Sequence, residues 1–218
     1  MTWPTPPEGV IFDCDGVIVD SEPITDAVLL DDLRDRGLDL SPDDIPRLFH
    51  GGTIWGTGAK VREMGIDLPD GWVEDIYARI HAALERGTPL VDGILDVLDR
   101  LDAAGIPHAV GSNGSRTKMT ITLGQNGLLP RLGDRLISAH EEGTAKPEPD
   151  LYLIAARRIG VAPNLCAVVE DTPTGARAAV AAGMRCIGYA GRTPADRLAA
   201  VGAEPVATMA EVAEKLGI

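Results

Sequence analysis

Two aspartates that directly follow an apolar run are the residues of this chain that most clearly point to chemistry. Asp13 and Asp15 come after the apolar residues 10–12, and Gly16 follows at once. Carboxylates this close raise one another's pKa, and burying them without compensation costs several kcal/mol. A positive charge removes that cost, and the simplest candidate is a divalent cation with oxygen ligands such as Mg²⁺. The segment therefore predicts a magnesium site.

Polar groups also follow three later apolar runs. In chain order they are Ser112-Asn113-Gly114, Lys146 and Glu170-Asp171. In an open α/β sheet, ligands bind outside the carboxyl ends of the strands. We therefore expect these groups to meet Asp13 and Asp15 along one edge of a sheet. Together they would supply carboxylates, a hydroxyl, turn amides and an amine.

Phosphoryl transfer is the chemistry that uses all of these groups. Asp13 and Asp171 can hold Mg²⁺, which neutralises the phosphate oxygens and the carboxylate that attacks them. Asp13 can attack phosphorus and form an aspartyl phosphate. Asp15, two residues further on, can protonate the leaving alkoxide and then activate water.

The remaining polar groups suit the binding of a phosphoryl group. Ser112 and the backbone amides near Asn113 and Gly114 can bind phosphoryl oxygens, because glycine-rich turns present several N–H groups together. Lys146 adds a positive charge where the transferred group becomes more negative. We therefore predict that Ser112 and Lys146 act in catalysis as well as in substrate binding.

The elements that must position these groups follow from the alternation of apolar runs with amphipathic segments. This alternation is typical of an α/β fold with a doubly wound, Rossmann-like parallel sheet. Runs of strand length occupy residues 10–12, 107–111, 135–139, 166–169 and 185–189, with a shorter run at 205–207. Helical patterns occupy residues 93–104, 116–126, 150–159, 173–182, 195–200 and 210–216.

One long stretch after the first run breaks the alternation. It contains only helical patterns, at residues 23–36, from residue 41, and at 58–64 and 70–85. We therefore predict two domains. Residues 1–20 and 88–218 would form the α/β core, and residues 21–87 would form a small α-helical cap.

Four of the segments quoted above resemble the sequence motifs of the haloacid dehalogenase-like hydrolases. The resemblance is to the branch of phosphatases and phosphoglucomutases with a helical cap inserted after the first motif. The segments are, in order, Asp13-Cys-Asp-Gly-Val17, Ser112-Asn113, Lys146-Pro147 and Glu170-Asp171. Their order and spacing match over nearly the whole chain. An aspartate as the second acid of the first motif points to phosphate esters rather than haloacids.

The resemblance also implies a role for each acid. Asp13 would be the nucleophile and a metal ligand. Asp15 would be the acid/base and would bind the metal through its backbone carbonyl. Asp171 would be a ligand, and Glu170 would either bind the metal directly or hold a direct ligand.

The same resemblance makes residues 49–56 the cap loop that faces the substrate. Gly51 and Trp55 are the cap residues expected at the substrate, with packing of Trp55 between cap helices as the alternative. β-Phosphoglucomutases carry an arginine in this loop, near Ile54 in this chain, but no arginine lies between Arg47 and Arg62.

This departure favours a phosphatase over a mutase. We expect hydrolysis of a small phosphorylated metabolite, either a sugar phosphate or a sugar-acid phosphate. The alternative is phosphoryl transfer of the β-phosphoglucomutase type. A non-catalytic sugar-phosphate-binding or regulatory protein is the least favoured interpretation, because the nucleophile, the acid/base and the lysine are all present.

Composition excludes several classes of partner. The 218 residues carry a net charge of −13 without a basic run, which argues against nucleic acid and against anionic membrane surfaces. No apolar stretch approaches the roughly 20 residues that span a bilayer. The N-terminal residues do not resemble a signal peptide, and three cysteines lie far apart, so we expect a reduced, cytoplasmic protein. It would be a monomer or a small homo-oligomer.

Overall fold

Six short segments pair into one parallel sheet in the computed structural model, which describes residues 3–49 and 53–218. The strands are β1 (Gly9–Phe12), β2 (His108–Ser112), β3 (Leu136–Ser138), β4 (Cys166–Glu170), β5 (Arg185–Tyr189) and β6 (Glu204–Val206). Their order across the sheet is β3-β2-β1-β4-β5-β6. Every residue of β1, β2 and β4 is buried, which explains why these strands appear in the sequence as nearly continuous apolar runs.

Helices connect the strands and cover both faces of the sheet. In chain order the described helices are α1 (Glu22–Asp35), α2 (Asp44–Phe49), α3 (Ile54–Glu63), α4 (Trp72–Leu84), α5 (Ile94–Ala104), α6 (Arg116–Gly124), α7 (Leu129–Leu132), α8 (Ala139–Glu142), α9 (Asp150–Ile159), α10 (Pro173–Ala181), α11 (Ala195–Ala199) and α12 (Met209–Leu216), with a 3-10 turn at Pro163–Leu165. One apolar cluster contains Phe12 with Leu98 of α5, and a second contains Ile11 with Leu151 of α9. Because neighbouring strand residues point to opposite faces, each face of the sheet has its own core.

The predicted doubly wound α/β fold is confirmed. Each predicted strand forms, and the predicted helices at 93–104, 150–159 and 173–182 match α5, α9 and α10 to within one residue at each end. The short helices α7 and α8 had no predicted counterpart. β2 and β4 run one residue further than predicted, so that Ser112 and Glu170 belong to the strands; they pair in register with Ser138 and Gly188.

The helices α1 to α4 bury an apolar cluster of their own. It contains Leu33 of α1, Val61 of α3, and Trp72, Ile76 and Leu84 of α4. This separate cluster fits the predicted cap, and the division at residues 21–87 stays a prediction. Within the described ranges, no helix has both the length and the apolar character needed to cross a bilayer.

A buried carboxylate fixes the helices of this cluster to one another. Asp32 of α1 accepts hydrogen bonds from the Trp72 indole N–H (2.7 Å) and from the guanidinium groups of Arg36 (2.8 Å) and Arg79 (2.6 Å). Asp32 is 5% exposed. The indole of Trp72 is also buried, so its N–H has no access to water as a substitute partner.

We expect Asp32→Ala to lower the free energy of unfolding by about 2–3 kcal/mol, because it removes hydrogen bonds to charged groups and leaves a buried donor unpaired. Urea unfolding followed by tryptophan fluorescence would measure the change. Asp31→Ala, at the exposed neighbouring position, is the matched control and should differ from the wild type by less than about 0.5 kcal/mol. Equal stability of the two variants would contradict this role of Asp32.

Candidate active site

A cavity lies at the carboxyl ends of β1, β2 and β4. Connections run from β1 towards β3 on one side and from β4 towards β6 on the other, so the order of the strands reverses between β1 and β4. Reversal of this kind opens a crevice outside the strand ends. Most of the residues predicted for the core of the site line the cavity: Asp13, Asp15, Ser112, Asn113, Gly114, Lys146 and Glu170.

Lys146 joins the ends of two neighbouring strands. Its Nζ donates hydrogen bonds to Asp13 Oδ1 and to Glu170 Oε1, the latter at 2.7 Å. All three side chains are buried. Burial alone would lower the pKa of Lys146, but the carboxylates of Asp13 and Glu170 raise it. The ammonium group therefore stays charged between the two acids.

Glu170 has hydrogen-bond donors around both carboxylate oxygens. In addition to Lys146, Oε1 accepts from the Tyr152 hydroxyl at 2.7 Å. Oε2 accepts from the amides of Asp171 (3.0 Å) and Thr172 (2.9 Å) and from the Thr172 hydroxyl (2.9 Å). Burial would raise the pKa of Glu170, but Lys146 and these bonds lower it. Five donors fill the lone pairs of this carboxylate.

Asp171 differs sharply from Glu170. It is 3% exposed, and its Oδ1 has no hydrogen-bond partner among the described residues. Burial, together with the nearby charges of Glu170 and Asp13, raises the pKa of Asp171 well above its usual value. A buried carboxylate oxygen without a donor needs a positive charge from another source.

The carboxylates of Asp13, Glu170 and Asp171 can each offer one oxygen within 4.8 Å of the others. Burial raises the pKa of Asp13 to about 7 even though Lys146 opposes the shift. If all three carboxylates are ionised, the single lysine between them leaves negative charge uncompensated. The predicted cation therefore fits this cluster, since Mg²⁺ prefers oxygen ligands.

The turn after β1 approaches this cluster so closely that it has no room for a side chain. Gly16 has a φ of +80°, and a Cβ at this position would overlap the carboxylate of Asp171. Glycine satisfies both the positive φ and the close approach. The sequence Asp-x-Asp-Gly is thus needed for the geometry of the turn as well as for its carboxylates.

Asp15 lies outside the three-carboxylate cluster and has other partners. Its Oδ1 accepts hydrogen bonds from the Ser21 hydroxyl and from Lys118 Nζ, which lies 2.7 Å away. Burial would raise the pKa of Asp15, but Lys118 and Ser21 lower it. The lowered pKa favours the ionised form of Asp15, which is the form that can take a proton from water, and proton transfer by Asp15 stays a prediction. Metal binding by its backbone carbonyl stays a prediction.

The second predicted segment is organised around its own side chains. Ser112 Oγ accepts a hydrogen bond from the Gly114 amide at 2.9 Å. Asn113 Oδ1 accepts from the Lys146 amide at 2.9 Å, and its Nδ2 donates to the Lys146 carbonyl at 3.5 Å. The amide side chain of Asn113 thus holds the loop that carries Lys146. Phosphoryl binding by Ser112 and by the amides of this turn stays a prediction.

The structure differs from the sequence prediction at the cap. Trp55 does not line the cavity, and its side chain is 57% exposed, so it does not pack between cap helices either. Ile54 and Thr57 line the cavity instead. They lie three residues apart on one face of α3, and Trp55 is turned about 100° away from Ile54. Gly51 lies outside the described residues.

Three residues that hold the acids of the site were among those missed from the sequence. Lys118 and Ser21 hold Asp15, and Tyr152 holds Glu170. A signal existed for Lys118, because Ser115 begins a helix directly after β2 and places the first turn of that helix at the sheet edge. Ser21 and Tyr152 had no comparable signal, since a serine before a helix and a tyrosine on an apolar helix face are most often structural.

Comparison with known proteins identifies the family of this chain. The family model described as haloacid dehalogenase-like hydrolase matches residues 7–183. The chain belongs to the haloacid dehalogenase-like hydrolases. This membership explains why the four motif segments occur together in one chain.

Curated relatives of the chain within this family include phosphatases. 6-Phosphogluconate phosphatase of Escherichia coli K12 is 30% identical over 179 residues, covering 81% of this chain and 80% of that protein. Hexitol phosphatase A of the same organism is 31% identical over 194 residues, covering 87% and 85%. The Arabidopsis thaliana protein SUPPRESSOR OF QUENCHING 1 is 35% identical over 184 residues, but this chain spans only 17% of its length. The chain is accordingly a phosphoric monoester hydrolase of the haloacid dehalogenase-like family.

Solved structures agree with this membership. A haloacid dehalogenase-like protein of Agrobacterium tumefaciens C58 has a TM-score of 0.85 and 34% identity, covering 96% of this chain and 97% of its own. A putative β-phosphoglucomutase of Bacteroides vulgatus has a TM-score of 0.76 and 25% identity, covering 95% and 86%. The chain thus lies in the branch of the family that contains phosphatases and phosphoglucomutase-like proteins.

Proposed function

We propose that this enzyme is a Mg²⁺-dependent phosphatase that hydrolyses a sugar phosphate or a sugar-acid phosphate through an aspartyl phosphate on Asp13. The observation that carries the proposal is the position of Asp13 at the end of β1. It lies between Lys146, which contacts it, and Asp171, whose Oδ1 has no donor among the described residues. The phosphatase relatives named for 6-phosphogluconate and hexitols support the class of substrate.

The metal would be held by Asp13, Asp171 and the backbone carbonyl of Asp15. Glu170 would orient Lys146 rather than bind the metal, because its oxygens already accept five hydrogen bonds. When bound, Mg²⁺ supplies positive charge that offsets the repulsion between a carboxylate and a phosphate.

The chain's own residues then account for both halves of the reaction. A carboxylate oxygen of Asp13 forms a bond to phosphorus while the bond from phosphorus to the alcohol oxygen breaks. Asp15, which must enter this step in its protonated form, gives its proton to that oxygen. In the second half, Asp15 takes a proton from water as the water oxygen attacks phosphorus. The bond between phosphorus and Asp13 breaks, which releases inorganic phosphate and restores the carboxylate. Ser112 and Lys146 bind the phosphoryl oxygens.

The charges of the cavity favour a phosphatase over a mutase. Among the described residues that line it, the cations are Lys118 and Lys146, and each is paired with a carboxylate. No arginine belongs to this described lining. A mutase must bind a bisphosphate in two orientations and needs a cation for the distal phosphate.

A phosphate-release screen tests the function. Purified protein with Mg²⁺ is incubated with hexose phosphates, hexitol phosphates and 6-phosphogluconate, and inorganic phosphate is measured. We expect at least one of them to be hydrolysed with a kcat/KM of about 10⁴ M⁻¹s⁻¹ or more. Glucose 1-phosphate with a trace of glucose 1,6-bisphosphate is assayed in parallel. Efficient conversion to glucose 6-phosphate would overturn the preference for a phosphatase.

Metal binding should be visible as a change in stability. At a Mg²⁺ concentration about 100 times the Kd, binding should stabilise the wild type by about 2.7 kcal/mol. In a chain of this size, each kcal/mol raises Tm by about 2–4 °C. Asp171→Asn should lose this response without losing the fold, because it removes a carboxylate whose burial is unfavourable. Differential scanning fluorimetry measures both. Asp134→Asn, at an exposed position, should respond like the wild type. A normal Mg²⁺ response in Asp171→Asn would contradict the assigned ligand.

A further inference from the structure

Lys118 is the cation of the described cavity lining that the reaction above leaves without a role. It lies in the first turn of α6, where Ser115 Oγ caps the helix by accepting from the Lys118 amide at 3.2 Å. Its side chain is 17% exposed and lines the cavity. Its Nζ lies 2.7 Å from Asp15 Oδ1. The position of this largely buried lysine beside the proposed acid/base residue needs an explanation.

The contacts of Asp15 divide its two oxygens. Ser21 and Lys118 both donate to Oδ1. Oδ2 lies close to Gly114, because a Cβ added to Gly114 would be 3.4 Å from Asp15 Oδ2. With Oδ1 held from two sides, Oδ2 is the oxygen left for a substrate in the cavity. The pair of donors therefore selects which oxygen exchanges the proton.

The helix that carries Lys118 is anchored at its other end. Gln125 Nε2 donates to the Leu84 carbonyl at 3.0 Å, and Gln125 Oε1 accepts from the Thr88 amide at 3.0 Å. Asn126 Nδ2 donates to the Thr88 carbonyl at 2.9 Å. A lysine loses much rotamer freedom when it is fixed, and an anchored helix gives it one defined approach to Asp15.

We propose that Lys118 is a positioning residue for Asp15, which holds Oδ1 so that Oδ2 faces the leaving oxygen. The inference rests on the proposed phosphatase function and adds a residue that none of the four motifs contains. Its consequence concerns the leaving group. An ester whose leaving oxygen needs a proton depends on Asp15, whereas 4-nitrophenolate leaves without one. Loss of Lys118 should therefore harm the first kind of ester more than the second.

The test compares phenyl phosphate with 4-nitrophenyl phosphate in the full-length protein with Mg²⁺. These esters share a ring and differ in how much the leaving oxygen needs a proton. We expect K118M to reduce kcat/KM for phenyl phosphate about tenfold more than for 4-nitrophenyl phosphate. K118R should restore part of this difference. K215M, which removes an exposed lysine remote from the cavity, should leave both values unchanged.

Two results would overturn the role of Lys118. One is a loss of kcat/KM in K118M that is equal for both esters and is also equal for both esters in K118Q. K118Q is a second variant that keeps a hydrogen-bond donor, in case K118M has a folding defect. The other is an increase in the inhibition constant of inorganic phosphate in K118M that equals the loss of kcat/KM. That result would make Lys118 a phosphate-binding group. A wild type that hydrolyses neither ester would instead contradict the proposed phosphatase function.

Discussion

Asp13→Asn is expected to lower phosphate release by about 10⁴-fold or more, a loss typical of removing a nucleophile. The amide of asparagine is a much poorer nucleophile than a carboxylate, so the bond to phosphorus does not form. The same change removes a proposed metal ligand from the carboxylate cluster, which should lower the affinity for Mg²⁺. The measurement is the rate of phosphate release from 4-nitrophenyl phosphate at saturating Mg²⁺.

This variant should remain folded, which makes the activity loss interpretable. Burial raises the pKa of Asp13 to about 7, so a neutral amide of the same shape suits the site. Lys146 keeps Glu170 as a partner at 2.7 Å. Asp35→Asn, at an exposed position of α1, is the matched control and should retain wild-type rates. If Asp13→Asn kept full activity with a normal melting curve, the nucleophile would have to be a different residue.

The core of the site was predictable from the sequence because of the way parallel sheets are built. Strands buried on both faces appear as short apolar runs, and ligand-binding groups follow them at one edge. The pattern of apolar runs therefore suffices to place Asp13 and Glu170 at one sheet edge. The strand order, which makes β1 and β4 neighbours, was not contained in the spacing.

Other features depend on contacts between elements that are distant in sequence. Lys118 and Ser21 converge on Asp15 from α6 and from the start of α1. The approach of Ser21 depends on how the chain enters α1, which no local pattern encodes. For Lys118, the local pattern after β2 places the first turn of α6 at the sheet edge but does not identify Asp15 as the partner. The prediction for Trp55 was wrong for a more local reason. The residue at which α3 begins determines which of its positions face the cavity. A start at Ile54 turns Ile54 and Thr57 inward and Trp55 outward.

Lys146→Met should destabilise the metal-free protein as well as impair catalysis. Methionine is one atom shorter than lysine and keeps its unbranched shape but supplies no charge, so Asp13 and Glu170 would face each other uncompensated at the strand ends. Removing one partner of a buried ion pair costs about 3–5 kcal/mol. Loss of a preorganised charge from the reacting group lowers kcat by about 10²- to 10³-fold. Urea unfolding in EDTA and steady-state phosphate release measure the two effects.

Magnesium should offset part of the stability loss but little of the catalytic loss. A cation bound as proposed would neutralise Asp13 in both proteins, so Mg²⁺ should raise the free energy of unfolding of Lys146→Met by more than that of the wild type. Mg²⁺ cannot take over the catalytic role of the ammonium group, because Lys146 also contacts Glu170. The carboxylate of Glu170 is oriented by Tyr152 and Thr172. Lys146→Arg keeps the charge and should be less destabilised, while K215M should match the wild type in both assays. Equal stabilisation of Lys146→Met and wild type by Mg²⁺ would show that the lysine and the metal act on separate carboxylates.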